Sequence, residues 1–239
     1  MLRQTIGDLL AGADPPEIDV TPAMVIVPHA GYVYSGPVAA TAYRYLALLP
    51  TPPRRLVLFG PSHFAGFQGV ATSGADAFQT PLGLVATDSR PPAGTTDDLT
   101  AHAREHSLEV QLPFLQVVLD AFTVQPMLTG EIAPEAAADV LDEALRERHL
   151  AVISSDLSHY LAYDEARTRD RQSASAIVEL RPEDLRSGDA CGVTAVQAGL
   201  LLARRRNWRC RLVDLRNSGD TAGDRSRVVG YGAFVIGPT

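Results

Sequence analysis

No lysine occurs anywhere in the 239 residues; all 21 side chains counted as Lys or Arg are arginine. That absence excludes Schiff-base catalysis and the lysine of a P-loop. Cysteine is almost as scarce, with only Cys191 and Cys210. No disulfide framework is expected, and a reducing compartment is the default. No apolar run reaches the roughly 18 residues a membrane span needs, and no signal-peptide core opens the chain. A soluble, cytoplasmic protein without membrane contact is expected. Positive charge is short too: the net charge of −7 argues against a protein that grips nucleic acid, which requires a basic face. The one basic cluster, Arg204-Arg205-Arg206 with Arg209 and Arg211, reads as a solvated helix end, where cations are favourable. No repeat, low-complexity tract or linker appears, so residues 1–239 read as a single domain. An apolar fraction of 46% is enough for a sizeable core.

What is present is an alternation of strand-like and helical patterns. The runs 24–27, 56–59 and 150–154 are nearly all apolar, as strands covered on both faces of a parallel sheet are. Segments 122–127, 208–215 and 228–236 also read as strands. Helical spacing appears at 6–10, 37–49, 96–104, 107–119, 134–148, 163–180 and 192–206. Pro37 is expected in a first turn, and Pro113 must kink its helix or mark a boundary. Segments 69–72 and 84–87 are expected to pair as a hairpin about Thr80-Pro81-Leu82-Gly83. Alternating strands and helices imply an α/β fold, with a mostly parallel sheet and helices on both faces.

Four of the six histidines follow such strands or open helices. In an open α/β sheet, ligands bind where the carboxyl-end loops converge. His29 in Pro28-His29-Ala30-Gly31 and His63 in Gly60-Pro61-Ser62-His63 repeat the order strand, proline, histidine. Two imidazoles at strand ends point to a shared transition metal. Cys191 stands where a helix begins, a position that lowers a thiol pKa toward the metal-binding thiolate; Asp189 is its carboxylate rival. Asp156 and His159, read as one helical turn apart, suit acid–base work or support of a ligand. Glu105-His106 is a similar pair at a helix start, where the carboxylate is alternatively a cap. His102 and His149 are expected at the surface, and Cys210 is expected to be structural. A serine-hydrolase reading of Ser154, Asp156 and His159 fails for want of a Gly-x-Ser-x-Gly elbow.

Taken together, the motifs resemble the Memo family, known in prokaryotes as AmmeMemoRadiSam system protein B. The matching stretches are Pro28-His-Ala-Gly-Tyr-Val-Tyr-Ser-Gly36, Gly60-Pro-Ser-His63, Glu105-His-Ser-Leu-Glu-Val-Gln-Leu-Pro113 and Ser154-Ser-Asp-Leu-Ser-His159. Cys191-Gly192, Asn217-Ser-Gly-Asp-Thr-Ala-Gly-Asp224 and Val228-Val-Gly-Tyr-Gly232 complete the set. The resemblance implies an α/β/α sandwich similar to class III extradiol dioxygenases. It implies iron (Fe2+), with copper or zinc as alternatives, held by His29, His63 and Cys191. Cysteine in place of the dioxygenase carboxylate departs from ring-cleaving enzymes. His106, Asp156 and His159 would then be catalytic or supporting pocket residues. The implied activity is a metal-dependent oxidoreductase acting on a small molecule or peptide, with radical-SAM and AMMECR-type pathway partners. The alternatives are a binding or adaptor protein with a vestigial pocket and a metal-dependent hydrolase.

Overall fold

The computed structural model describes residues 1–88, 90–146 and 150–239. Eleven strands and eight α-helices follow one another among them. In chain order they are α1 (Leu2–Gly12), β1 (Met24–Val27), α2 (Tyr32–Ala47), β2 (Arg55–Pro61), β3 (Val70–Thr72), β4 (Ala77–Thr80) and β5 (Gly83–Ala86). Next come β6 (Thr95–Asp97), α3 (Leu99–His102), α4 (Leu112–Val118), β7 (Thr123–Thr129), α5 (Pro134–Ala144), β8 (Leu150–Ser154) and β9 (His159–Leu161). The chain closes with α6 (Tyr163–Val178), α7 (Val193–Arg205), β10 (Arg209–Asn217), α8 (Ser218–Thr221) and β11 (Val228–Gly237).

The main sheet has the order β10-β11-β1-β8-β2-β7-β3-β6. Its centre, β1-β8-β2-β7, is parallel throughout, while β11, β10 and β3 join antiparallel. The three all-apolar runs are therefore adjacent, and each is buried on both faces. Successive residues feed opposite cores. Val25, Val27, Leu56, Leu58 and Val152 pack with Ile6, Tyr43, Leu46 and Phe114 of α1, α2 and α4. Met24, Ile26, Val57, Phe59 and Ile153 pack with Leu141, Ile177 and Leu200 of α5, α6 and α7. The result is an α/β/α sandwich. Each fully buried Leu- or Val-sized side chain contributes roughly 1.5–3 kcal/mol, so the two cores hold the strand ends rigidly.

Several local expectations are corrected. The hairpin forms between β4 and β5, with the expected turn, but 69–72 does not take part. Val70 and Ala71 are fully buried, and β3 instead extends the main sheet beside β7. Helix α2 starts at Tyr32, so Pro37 lies inside it. The N–H that proline lacks would have paired with the carbonyl of Val33, an exposed residue near the helix start, where the loss is tolerated. The 107–119 pattern divides into a 3-10 turn at Glu109–Gln111 and α4, with Pro113 in the first turn of α4. No helical turn joins Asp156 to His159; His159 begins β9, which pairs with β11. Arg204 and Arg205 do end α7. They pair with Glu183 at 3.1 Å and Asp139 at 2.6 Å.

Candidate metal centre

Parallel strands end on the same edge of a sheet, and three such ends build the site. β1 runs into His29, β2 into His63, and β8 into Ser155 and Asp156. His106 comes from the loop between α3 and the 3-10 turn, and Cys191 from the turn before α7. Ser107 and Gln111 bind the His106 loop to the strand ends: Ser107 Oγ donates to the Pro61 carbonyl at 3.0 Å, and Gln111 Nε2 to the Pro28 carbonyl at 3.0 Å. Gly192 lets Cys191 approach β8, because a Cβ there would stand 2.9 Å from the Ser154 carbonyl oxygen and from the Ser155 Cβ. Gly192→Ala is expected to cost about 1–3 kcal/mol by overpacking, measured as a lower urea midpoint at unchanged slope.

The rings of His29, His63 and His106 lie edge to face or stacked, with centroids 5.2, 5.6 and 5.0 Å apart. One ligand atom from each falls within 4.8 Å of the others. Cys191 Sγ stands 3.2 Å from His29 Nε2. Two ligands bonded to one metal at about 2.0 and 2.3 Å and a tetrahedral angle would be about 3.5 Å apart.

The hydrogen-bond partners fix which nitrogens are free. Ser154 Oγ donates its only hydrogen to the Ser107 carbonyl at 2.6 Å and accepts from Gln111 Nε2 at 2.9 Å. His29 Nδ1, 2.9 Å from that oxygen, must therefore donate to it, which leaves Nε2 as a bare lone pair. His63 Nδ1 donates to Glu105 Oε1 at 2.9 Å, so its Nε2 is bare as well. Glu105 is buried at 6% exposure and also accepts the backbone N–H groups of His63, His106 and Ser107 at 2.5, 2.9 and 2.8 Å. Burial opposes its ionisation, but the bonds from His63 and Ser107 prevail and hold its pKa at about 2. Glu105 is thus a buried carboxylate that orients the His63 imidazole and anchors the His106 backbone, and not a helix cap. Such partners set ligand tautomer and ring angle.

Burial lowers the His29 pKa to about 4, despite the Asp156 charge nearby, so its imidazole is neutral at physiological pH. Cys191 departs from the sequence expectation. Burial, with the Asp156 charge, pushes its thiol up to about 12, outweighing the start of α7. Asp156 ties the thiol to the His29 backbone. Its Oδ1 accepts the His29 N–H at 2.7 Å, its own N–H donates to Cys191 Sγ at 3.2 Å, and its carbonyl accepts the Cys191 N–H at 3.2 Å.

Other expectations resolve as follows. His159 Nδ1 binds the Leu157 carbonyl at 2.8 Å, and its ring meets Tyr160; it is outside the three-imidazole group. Asp189 turns to Arg169 and to the Arg186 N–H at 2.8 and 2.7 Å. His102 is buried, not at the surface, because its ring bonds the Ala71 carbonyl at 3.1 Å. Cys210 is buried within β10. His149 lies outside the described residues. Ser154 and Gln111 were not read as site residues from the sequence. The available signals were Gln111's place in the Glu105-to-Pro113 motif and Ser154's at the head of the Ser154-to-His159 motif.

Two imidazoles with bare nitrogens, a third within reach and a thiol alongside fit a transition-metal ion by the chemistry of their donors. An α/β/α fold with such a cluster at its parallel strand ends defines a candidate metal-binding protein. The chain belongs to the Memo family: the model described as Memo-like protein matches residues 1–235. A MEMO1 family protein of Aquifex aeolicus is 38% identical over 94% of this chain and 89% of its own length. One from Methanopyrus kandleri is 37% identical over 95% and 88%. Among the described residues, no helix is long and apolar enough to cross a membrane.

Proposed function

We propose that the chain is a cytoplasmic non-haem iron oxidoreductase of extradiol-dioxygenase type. His29 and the Cys191 thiolate hold the metal from the buried side and His63 completes the ligand set, with His63 and His106 both on the exposed side of the cluster. The observation that carries this reading is the bare His29 Nε2, 3.2 Å from Cys191 Sγ and grouped with His63 and His106. A mixed nitrogen and sulfur donor set favours iron or copper over oxygen-seeking ions, with zinc as the remaining candidate. When bound, the metal supplies Lewis-acid and redox chemistry. The chain's own groups do the rest. Glu105 and Ser154 hold the two imidazoles in the tautomer that leaves Nε2 free. Cys191 gives up its proton as it becomes a ligand, so loading releases a proton. Asp156 keeps thiol and His29 in register, and the His159 Nε2 moves a proton to or from the substrate.

The test is to supply Fe(II) without oxygen to metal-free protein and to variants. About one iron per chain is expected in the wild type and in His159→Ala, and none in His63→Ala. Oxygen uptake with fractionated small-molecule extract should then appear in the wild type and vanish in His159→Ala. Iron retained by His63→Ala would defeat the site. Iron bound without oxygen uptake from any fraction would favour an adaptor. Phe64 gives that second reading its support: it is 57% exposed beside the His63 and His106 rings, with the Arg104 guanidinium over it.

A further inference from the structure

The hydrogen-bond chain behind His29 runs past Gln111 into the core. Gln111 Nε2 lies 3.0 Å from the Pro28 carbonyl oxygen and 2.9 Å from Ser154 Oγ. A carbonyl oxygen only accepts, so the Gln111 NH2 must face it, and both amide hydrogens are committed. Gln111 Oε1 then points the other way, where it accepts the Tyr43 hydroxyl at 2.9 Å. Tyr43, Gln111 and Ser154 are all fully buried. Burial raises the Tyr43 pKa well above the ordinary phenol value, so the hydroxyl keeps its proton and stays a donor. Its ring stacks on Phe114 of α4, with centroids 4.7 Å apart and planes at 6°, which fixes where the hydroxyl stands. Helix α2 sends a second phenol to the same turn: Tyr32 donates to the Val110 carbonyl at 2.9 Å. That bond ends on backbone and does not enter the chain.

We propose that Tyr43 is a positioning residue for the metal centre: its hydroxyl fixes the Gln111 amide and, through Ser154, the His29 tautomer that leaves Nε2 bare. The chain from Tyr43 to His29 is saturated, so each donor sets the direction of the next. Without the phenol O–H, Gln111 Oε1 becomes a buried acceptor with no donor, and the amide loses the partner that holds its orientation. Ser154 then loses the N–H that keeps its own hydrogen on the Ser107 carbonyl. The hydroxyl can turn that hydrogen to His29 Nδ1, which leaves the ring proton on Nε2, where it blocks a metal. The effect on metal binding rests on His29 being a ligand. The tautomer does not, because it is set in the metal-free protein.

The test is nitrogen-15 NMR of the histidine rings in metal-free protein near pH 7, which separates protonated from bare ring nitrogens, with Co2+ affinity measured by chelator competition. Wild-type His29 is expected to carry its proton on Nδ1 alone. Tyr43→Phe keeps the ring stack and should show His29 divided between the two tautomers. Its Co2+ affinity should fall by about 3–10-fold, less than the roughly 10–100-fold expected when a ligand's direct partner is removed. Ser154→Ala, which removes that direct partner, should show the larger loss. Tyr32→Phe should change neither reading. A wild-type His29 protonated on Nε2 would overturn the proposal, as would a single Nδ1–H tautomer in Tyr43→Phe. An equal change in Tyr32→Phe would also overturn it, because loosening of the turn would then be the cause. Failure of the metal reading would look different: His29→Ala would bind Co2+ as the wild type does. That result would remove the metal role of Tyr43 and leave its control of the tautomer standing.

Discussion

Replacing Glu105 with alanine is expected to destabilise the protein by about 3–5 kcal/mol and to weaken metal binding by about 10–100-fold. Both effects come from one carboxylate. Its two oxygens accept three backbone N–H groups and the His63 ring N–H, in a place where water does not reach. Each buried donor left without an acceptor costs about 1–3 kcal/mol. The same change frees the His63 ring to rotate and to change tautomer, which is why affinity falls with stability. Glu105→Gln should be milder in fold and nearly as severe in metal binding, since its amide NH2 must face donors. Urea unfolding and competitive chelation on the same preparations separate the two effects. A Glu105→Ala protein with unchanged affinity would show that His63 needs no orienting partner.

His29→Ala should abolish stable metal binding, lowering affinity by at least about 100-fold, while the protein stays folded. The ring is 2% exposed and in reach of His63, His106 and Cys191, so its loss removes the donor central to the cluster. Its truncation leaves a small polar void lined by Ser154 and Cys191. The expected stability cost without metal is about 1–3 kcal/mol, that of a deleted buried hydrogen-bonding group. Asp156 still accepts the backbone N–H of residue 29, so the strand end keeps its geometry. Circular dichroism matching wild type, together with lost metal, is the expected outcome. Retained metal would remove His29 from the site.

Much of this was legible in the chain because the signals were local. Nearly all-apolar runs of four or five residues bounded by turn signals fit strands covered on both sides, and β1, β2 and β8 are those. A histidine just beyond such a run sits at the sheet edge whatever else the fold does, which exposed His29 and His63. His106 was harder to place, since no strand precedes it; long-range bonds from Ser107 and Gln111 carry it to the cluster. The Asp156 and His159 spacing misled for a related reason. Three residues apart means one face only in a helix, and here pairing between β9 and β11 takes His159 into a strand. The Cys191 thiol illustrates a competition of magnitudes, in which burial outweighs the favourable start of a helix. Nothing in the local sequence of 69–72 signals that it joins β7, a pairing made across more than fifty residues of chain.

The most direct measurement is X-ray absorption at the metal edge of protein loaded without oxygen, for the wild type, Cys191→Ser and His159→Ala. The account predicts imidazole nitrogens at about 2.0–2.1 Å with one sulfur at about 2.3 Å. The sulfur should be lost in Cys191→Ser, and the spectrum should be unchanged in His159→Ala. A wild-type shell lacking either the sulfur or the imidazole scattering, or one altered by His159→Ala and not by Cys191→Ser, would contradict it.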